Sequence, residues 1–313
     1  MKITLKRHPL DIIFSGLTGI AAFCIFLLLI GIIIVLLSES RLSIKSFGFI
    51  KFVTSLDWNP VKETFGALTS LFGTAVTTVL SLIVAVPVAI GIAIFITELA
   101  PNRLKGLIGT AIELLAAIPS IIYGMWGLFT LAPIMAAYIE PALQKTLGKI
   151  PLLGLLFEGT PLGLDILTAS IILGIMIIPF TASIARDCFN LTPSIVKESA
   201  YALGATKWEV IRNIVLPYSK VGVFGGIVLS LGRSLGETMA VAFVLGNKHQ
   251  LTISFFDAIS TITVTLANEF TEADKDLYLS SLFYLALLLF LLSFITLAVA
   301  KFLILRAERR AQA

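Results

Sequence analysis

Long runs of apolar residues without charge constrain this chain more than any other feature of its sequence. Residues 12–37 contain no charged side chain, and a helix needs about 20 mainly apolar residues to cross a bilayer. The run is too long for the apolar core of a secretory signal peptide, which has about 7–15 residues. Only 13% of the 313 residues are charged, against about 25% in soluble domains. We therefore expect an integral membrane protein whose first crossing is this run.

Apolar runs of sufficient length predict an all-α protein with six transmembrane helices. An even number of crossings places both termini on the same side of the membrane. Pro87 lies inside the second run, so we expect that helix to be kinked or broken. The six predicted spans are 12–37, 68–97, 107–136, 165–185, 221–245 and 277–301.

Basic residues favour one face of this topology, which we expect to be cytoplasmic. The opposite segments, 38–66, 137–164 and 246–276, are more evenly charged or acidic. The segment 137–164 is expected to be a loop or to dip partway into the membrane. The basic residues on the expected cytoplasmic face are Lys2, Lys6, Arg7, Arg103, Lys105, Arg186, Lys197, Lys207, Arg212, Lys220, Lys301, Arg306, Arg309 and Arg310.

Composition argues against several other classes of function. The basic residues flank apolar runs, so the chain lacks the basic patch with interleaved aromatics of a nucleic-acid-binding protein. Its two cysteines and two histidines are too dispersed for a metal site. The segment nearest to a P-loop, at residues 148–150, lacks the upstream glycine and the Ser/Thr of that motif. We therefore expect no enzyme activity, metal or cofactor in this chain, and a partner must hydrolyse ATP if ATP is used.

Residues 198–217 form the most informative loop on the expected cytoplasmic face. We predict a short helix over 196–203, a turn at Gly204 that a side chain would obstruct, and an amphipathic helix over 206–216. Pro217 marks the return to the membrane. An alternative is that the second helix lies on the membrane surface, a role that suits Trp208.

The same loop resembles the EAA loop of ABC importer permeases, which reads E-A-A, three residues, G, nine residues and I-x-L-P. Every spacing agrees, and the one departure is Ser199 in place of the first alanine. In that family the short helix docks on a separate ATPase subunit. The resemblance implies that the contact is formed by Glu198, Ser199, Ala200 and Gly204.

The predicted fifth span contains two ionisable residues, Arg233 and Glu237. Such residues are costly inside a bilayer and usually mark a pathway or a partner. Their spacing of four places them on one helix face, where they can pair. A guanidinium offers an anion a planar, permanently charged fork, and the alternative is a pair that only makes the arginine insertable. Gly232 and Gly236 have the same spacing and predict a surface for close helix packing.

Residues 232–238 read Gly-Arg-Ser-Leu-Gly-Glu-Thr, which resembles the G-R-A-L-G-E-T segment of PstC-type permeases of phosphate importers. Residues 58–60 (Trp-Asn-Pro), 65–68 (Phe-Gly-Ala-Leu) and 118–124 (Ile-Pro-Ser-Ile-Ile-Tyr-Gly) agree as well. The resemblance implies the six-helix type I importer (MetI-like) fold. It also implies a substrate pathway formed by Arg233 and Glu237, with Tyr123, Ser234 and Thr238 as further candidates.

The resemblance further implies a bacterial inner-membrane complex that contains a PstA-type second permease, two ATPase subunits that bind ATP-Mg, and a periplasmic phosphate-binding protein. A permease for another oxyanion, sulfate or molybdate, and an autonomous secondary transporter remain as alternatives. We expect an N-terminal part at 1–66, a transmembrane core at 67–302 with the coupling loop at 190–218, and a cytoplasmic tail at 303–313.

Overall fold

The computed structural model describes residues 9–151 and 154–312. The basic residues Lys2, Lys6 and Arg7 that entered the topology prediction lie outside the described residues.

The described chain is almost entirely helical. It contains no strand within residues 9–151 and 154–312, only the isolated bridges Asn59–Thr64 and Gly246–Ile259. A short 3₁₀ turn at Gly154–Phe157 follows α6. The helices are α1 Pro9–Glu39, α2 Arg41–Phe47, α3 Phe49–Thr54, α4 Leu68–Leu99, α5 Asn102–Ala116, α6 Ser120–Lys149, α7 Ile166–Asn190, α8 Ser194–Ala202, α9 Lys207–Leu235, α10 Met239–Ala242, α11 Ile262–Glu269 and α12 Asp276–Gln312.

Three of these helices contain wider, π-helical turns. They lie at Phe95–Leu99 in α4, at Gly127–Leu131 and Met135–Ile139 in α6, and at Ile211–Val215 in α9. The helix α6 ends in a 3₁₀ turn at Leu147–Lys149.

Six of the described helices are long and apolar enough to cross a membrane: α1, α4, α6, α7, α9 and α12. This confirms the predicted all-α architecture with six crossings. We call the end of the bundle that carries residues 191–206 the loop end and the opposite end, where α7 begins, the far end.

The core forms around α7, which packs between α4 and α9. Ile172, Leu173, Met176 and Ile177 of α7 are almost completely buried there. The side of α4 that faces the interior carries small residues, which are mostly hydroxyl-bearing from Thr69 to Ser81 and alanine from Ala85 to Ala93. Small residues let helices approach closely in a bilayer, where no hydrophobic force drives helices together.

The predicted third span, 107–136, is wrong in its boundaries. Residues 102–116 form the separate helix α5, which the Arg186–Glu113 ion pair ties to α7 with an N–O distance of 2.7 Å. The chain then turns through Pro119, because a proline disfavours helical geometry in the residue before it. The crossing itself is α6, so the segment 137–164, which was expected to be a loop or to dip partway into the membrane, is helical as far as Lys149.

The predicted fifth span, 221–245, is also wrong at both ends. Its helix starts at Lys207 and includes the segment predicted as a separate helix at 206–216. A wide turn at Ile211–Val215 precedes Pro217 and accommodates the missing N–H of that proline. The helix then stops at Leu235, with Gly236 as its cap.

Pro87 does not break α4, which is helical from Leu68 to Ile94. The second span was expected to be kinked or broken at this proline, and the helix is not broken there. Neighbouring helices can satisfy the backbone groups that a proline frees.

Candidate functional site

The end of α9 lies deep in the bundle, beside the middle of α7. The two helices run antiparallel: a Cβ on Gly222 would lie 2.5 Å from Cys188 Sγ, and the hydroxyls of Ser230 and Thr181 are 2.7 Å apart. Thr181 is about 22 Å along α7 from its start at 1.5 Å per residue. Because α9 runs toward the start of α7 and continues for only five residues beyond Ser230, it ends roughly 15 Å short of the far end. It therefore stops about halfway across the bilayer.

Irregular backbone completes the crossing that α9 begins. Residues 236–261 contain only the short helix α10 and the Gly246–Ile259 bridge. Ala240, Val244 and Leu245 of this segment are fully buried. Non-helical backbone at this depth is tolerated only where protein covers it or where it lines an aqueous cavity. The break in α9 therefore marks a specialised place in the bundle.

Arg233 lies in the last turn of α9, next to this break. Its guanidinium carbon is 5.4 Å from the centre of the Phe180 ring on α7, which is the distance of a cation–π contact. Its Nε atom is buried and has no hydrogen-bond partner among the described residues. The negative end of the α9 dipole favours a cation at this position.

Glu237 does not pair with Arg233, so the predicted ion pair on one helix face is wrong. The helix ends between the two residues, at Leu235, and the described ion pairs do not join them. The Glu237 carboxylate instead accepts a hydrogen bond from the Ala240 N–H at 3.2 Å. The Glu237 carbonyl accepts another from the Thr263 hydroxyl at 2.7 Å. Glu237 thus holds the chain that follows the break.

The remaining candidate side chains are distributed around the same region. The Tyr123 hydroxyl donates to the Leu115 carbonyl at 3.0 Å and bridges α6 to α5. The Ser234 hydroxyl is 3.1 Å from that of Ser81. The Thr238 hydroxyl makes a long contact of 3.5 Å with the Gly236 carbonyl.

The two glycines predicted to form a packing surface have different surroundings. A Cβ on Gly232 would lie 3.3 Å from Leu297 of α12, so this glycine allows close approach. Gly236 has no side chain near it and serves as the cap of α9.

A group of hydroxyl side chains, which we call the hydroxyl seam, forms contacts among α4, α7, α9, α11 and the irregular segment. Its contacts include Ser70–Thr265 at 3.3 Å, Ser260–Thr265 at 2.8 Å and the Ile262 N–H to Thr74 at 3.0 Å. The seam was not predicted from the sequence, although hydroxyl residues recur at a spacing of three or four along α4. The seam consists of Ser70, Thr74, Ser81, Thr181, Ser230, Ser234, Ser260 and Thr265.

The loop end carries the helix–turn–helix predicted from residues 198–217. The helix α8 ends in a Schellman turn, in which the N–H groups of Ala205 and Gly204 donate to the carbonyls of Ala200 and Tyr201, both at 3.0 Å. Gly204 has φ +89°, a conformation that other residues rarely adopt. Thr206 and Glu209 then form a capping box that starts α9.

The surface of α8 and its turn is unusually apolar. Leu203 is 89% exposed, and Leu191 and Ile195 are also largely exposed. Glu198, Ser199 and Gly204 are exposed beside them, and Ala200 is half-buried. An exposed apolar patch with polar neighbours marks an interaction surface. An ion pair of 2.6 Å between Lys197 and Glu98 fixes α8 to the end of α4.

Glu269 organises a polar cluster at the far end. Its carboxylate accepts hydrogen bonds from Trp58 Nε1 and the Tyr278 hydroxyl, both at 2.7 Å, and lies 3.0 Å from His249 Nε2. Burial by itself would raise the pKa of Glu269, but the hydrogen bonds from His249, Tyr278 and Trp58 together lower it below its ordinary value. The cluster joins the loop before α4, the irregular segment, α11 and α12.

Comparison with known proteins extends over most of the chain. Residues 85–309 match the family described as binding-protein-dependent transport system inner membrane component. The chain is 50% identical to a protein named phosphate transport system permease protein PstC from Mesorhizobium japonicum, over 98% of this chain and 94% of that protein. It is 49% identical to a protein of the same name from Pasteurella multocida, over 98% and 95%.

Solved transporters share the fold at low sequence identity. A bacterial alginate ABC transporter in complex with a periplasmic protein aligns with a TM-score of 0.59 at 16% identity, over 91% of this chain and 92% of that one. An inward-facing MetNI methionine ABC transporter aligns with a TM-score of 0.57 at 15% identity, over 76% and 94%. These alignments confirm the expected MetI-like importer fold. The chain is a multi-pass membrane protein that belongs to the family of binding-protein-dependent transport system inner membrane components, in its group of PstC-type permeases.

Proposed function

We propose that the chain is a transmembrane permease subunit of an ATP-driven phosphate importer, in which it forms half of the translocation pathway. The observation that carries the proposal is the placement of Arg233. Its guanidinium lies at the mid-depth break of α9, and its buried Nε has no hydrogen-bond partner in the part of the chain that the structure describes. The names of the relatives, which are phosphate transport system permeases, support phosphate as the substrate.

The chemistry of the break suits a tetrahedral oxyanion. A guanidinium presents parallel N–H donors that match phosphate geometry in a bidentate manner. Arginine also keeps its charge at every physiological pH and is less strongly hydrated than lysine. The carboxylate of Glu237 accepts a hydrogen bond from the Ala240 N–H and does not form an ion pair with the Arg233 guanidinium. Ser234 and Thr238, with Tyr123, are the neighbouring polar groups that we assign to the pathway.

The loop end is the proposed contact with the ATPase. The exposed apolar residues of α8 and its Schellman turn provide a surface to be covered by a partner, and Glu198, Ser199, Ala200 and Gly204 lie on or beside it. ATP-Mg is then bound by the ATPase and not by this chain. The full complex that we propose contains a PstA-type second permease, two ATPase subunits and a periplasmic phosphate-binding protein. In this arrangement the loop end and both termini are cytoplasmic, and 67–302 is the transmembrane core.

The experiment is uptake of radiolabelled phosphate by bacteria that lack their own permease and carry either the wild type or Arg233→Gln. Arg103→Gln is the matched control, because Arg103 is exposed and lies outside the break. Membrane levels and co-purification with the ATPase are measured for each variant. We expect Arg233→Gln to assemble normally and to lose uptake, while Arg103→Gln transports as the wild type does.

Normal uptake by Arg233→Gln would contradict the pathway role of the arginine. Competition with unlabelled sulfate and molybdate tests the substrate. If either of these anions were transported by the wild type and phosphate were not, the importer would remain and the phosphate assignment would be wrong.

A further inference from the structure

Two carboxyl groups meet in the interior of the far end. Glu140 belongs to the last part of α6, and Asp165 is the N-cap of α7. Both residues are 0% exposed. They are neighbours, because the Glu140 carboxyl accepts a hydrogen bond from the N–H of Gly163, two residues before Asp165. Acidic residues are almost never fully buried unless they are paired.

The hydrogen bonds around this pair leave three polar atoms without a partner. Glu140 Oε2 accepts from the Gly163 N–H at 3.3 Å, and Asp165 Oδ1 accepts from the Thr168 N–H at 2.8 Å. The other oxygen of each carboxyl group, Glu140 Oε1 and Asp165 Oδ2, has no partner among the described residues. The Thr168 hydroxyl, itself 0% exposed, has none either. The two carboxyl oxygens are acceptors when ionised, so only a donor can satisfy them.

Other charged groups nearby do not supply that donor. Lys145 and Lys149 on α6 and Glu158 on the following loop are exposed. Asp257 contributes its carbonyl to the Ile166 N–H, while its carboxylate accepts from the Thr252 hydroxyl. The ion pairs of the described residues do not include Glu140 or Asp165.

We propose that Glu140 and Asp165 form a site that binds one proton, shared between Glu140 Oε1 and Asp165 Oδ2. Two adjacent carboxylates that are closed off from solvent are not readily ionised together, since each disfavours the charge of the other. A single proton makes one of the two carboxyl oxygens a hydrogen-bond donor, and the other oxygen can then accept from it. It also leaves a single negative charge that the Gly163 and Thr168 N–H groups stabilise. The pair then titrates as one unit.

A divalent metal fits this site less well than a proton. Calcium takes 6–8 oxygen ligands in proteins, whereas the three orphan oxygens here belong to only three side chains. Magnesium keeps several waters and needs near-octahedral geometry, which a fully buried site does not provide. A monovalent cation such as sodium is the remaining competitor, and the experiment separates it from the proton.

The shared proton fastens two parts of the far end together. Gly163 has φ +72° and lies so close to the Ala132 carbonyl that a side chain would clash with it, which fixes its N–H on Glu140. Removal of the proton would place two negative charges in this junction between α6 and α7. The folded chain holds a proton that the unfolded chain has already released above an ordinary carboxyl pKa of about 4. The contribution of this site to stability is therefore greatest at low pH and falls as the pH rises until the site is deprotonated.

The test uses the full-length chain in lipid nanodiscs, with the carbonyl stretch of protonated carboxylic acids followed by infrared spectroscopy between pH 5 and 10. We expect the wild type to show one protonated carboxyl group at neutral pH that disappears at alkaline pH. Glu140→Gln and Asp165→Asn, which keep the shape and add a permanent N–H donor, should each lose that band. Glu158→Gln, at an exposed acid of the same end, should keep it.

Thermal unfolding provides the second measurement. We expect the unfolding temperature of the wild type to fall from neutral to alkaline pH and that of Glu140→Gln to change less over the same interval. Absence of the protonated band in the wild type at neutral pH would overturn the proposal. So would an unfolding temperature that rises with sodium concentration in the wild type and not in Glu140→Gln, because that result identifies a bound cation.

Discussion

The hydroxyl groups of Ser81 on α4 and Ser234 on α9 lie 3.1 Å apart, one residue beyond Arg233. Both side chains are buried, so this contact fixes the end of α9 against the wall of the bundle. The Ser81 hydroxyl also lies 2.8 Å from the Thr78 carbonyl. Ser81 therefore remains hydrogen-bonded if Ser234 is removed.

We expect Ser234→Ala to reduce the free energy of unfolding by about 0.5–1.5 kcal/mol, the usual net value of one hydrogen bond. A double-mutant cycle with Ser81→Ala should give a coupling energy of about 0.6 kcal/mol, as for other interhelical hydrogen bonds in membranes. Ser46→Ala is the control, because the Ser46 hydroxyl is exposed and bonds only within its own helix. A coupling energy of zero would mean that the two hydroxyls do not interact.

The Lys197–Glu98 ion pair is expected to transmit motion from α8 to α4. Its members are only 19% and 9% exposed, and their charged atoms are 2.6 Å apart. Lys197→Met leaves Glu98 without its partner in a nearly buried position, which is costly. We expect the variant complex to hydrolyse more ATP per phosphate imported than the wild type, measured in proteoliposomes.

Two controls accompany that measurement. Lys207→Met removes an exposed lysine of the same region and should leave the ratio unchanged. The exchange variant Lys197→Glu with Glu98→Lys should recover part of the coupling. If Lys197→Met hydrolysed and transported in the wild-type ratio, the ion pair would only stabilise the fold.

Gly204→Ala should weaken the turn at the loop end. The space around Gly204 is open, so an added methyl group meets no other atom, but the residue has φ +89°. A left-handed conformation costs a residue with a Cβ roughly 1–2 kcal/mol. We expect the variant to fold and to co-purify with less ATPase. Gly225→Ala is the matched control, since Gly225 also has open space around it but lies inside α9 with ordinary helical geometry. Equal recovery of the ATPase with both variants would refute this prediction.

The Glu269 cluster predicts a dependence of stability on acid pH. The pKa of Glu269 is lower in the folded chain than its ordinary value, so its contribution to stability is present above the unfolded pKa of about 4.3. It is lost as the pH falls through the folded pKa. Glu269→Gln should lower the unfolding temperature at neutral pH and make it less sensitive to acid between pH 5 and 3. Glu272→Gln, at an exposed acid nearby, should behave as the wild type does. If the unfolding temperatures of Glu269→Gln and the wild type changed identically with acid pH, Glu269 would not be the group responsible.

The number of crossings was predictable because span length depends on local composition. The break positions were not, because they depend on tertiary contacts. Pro87 and Pro119 both lie in apolar runs, yet only Pro119 interrupts a helix. Gly236 ends α9 because residues 236–261 find cover among α4, α6 and α7, which no local pattern reveals.

The loop end was predicted more accurately than the pathway. The turn at Gly204 is set by residues within one short segment, so spacing along the sequence was sufficient. The pairing of Arg233 with Glu237 assumed a continuous helix, and the glycine between them invalidated it. Phe180, which contacts Arg233, and the pair of Glu140 and Asp165 join residues far apart in the sequence, and their neighbours could not be inferred from spacing.

Among the described residues no carboxylate pairs with Arg233, which bears on how an anion would arrive and leave in the proposed pathway. With Glu237 engaged by α10, an incoming oxyanion would displace no counter-ion of the described chain and would meet a charge that lies beside the ring of Phe180 and the carbonyl end of α9. Release then cannot rely on a resident acid that competes for the guanidinium. We would then expect release to require movement of the end of α9. The helix whose first turn follows Gly204 at the loop end is the same helix that ends beside Arg233, so a tilt imposed at one end would displace the charge at the other.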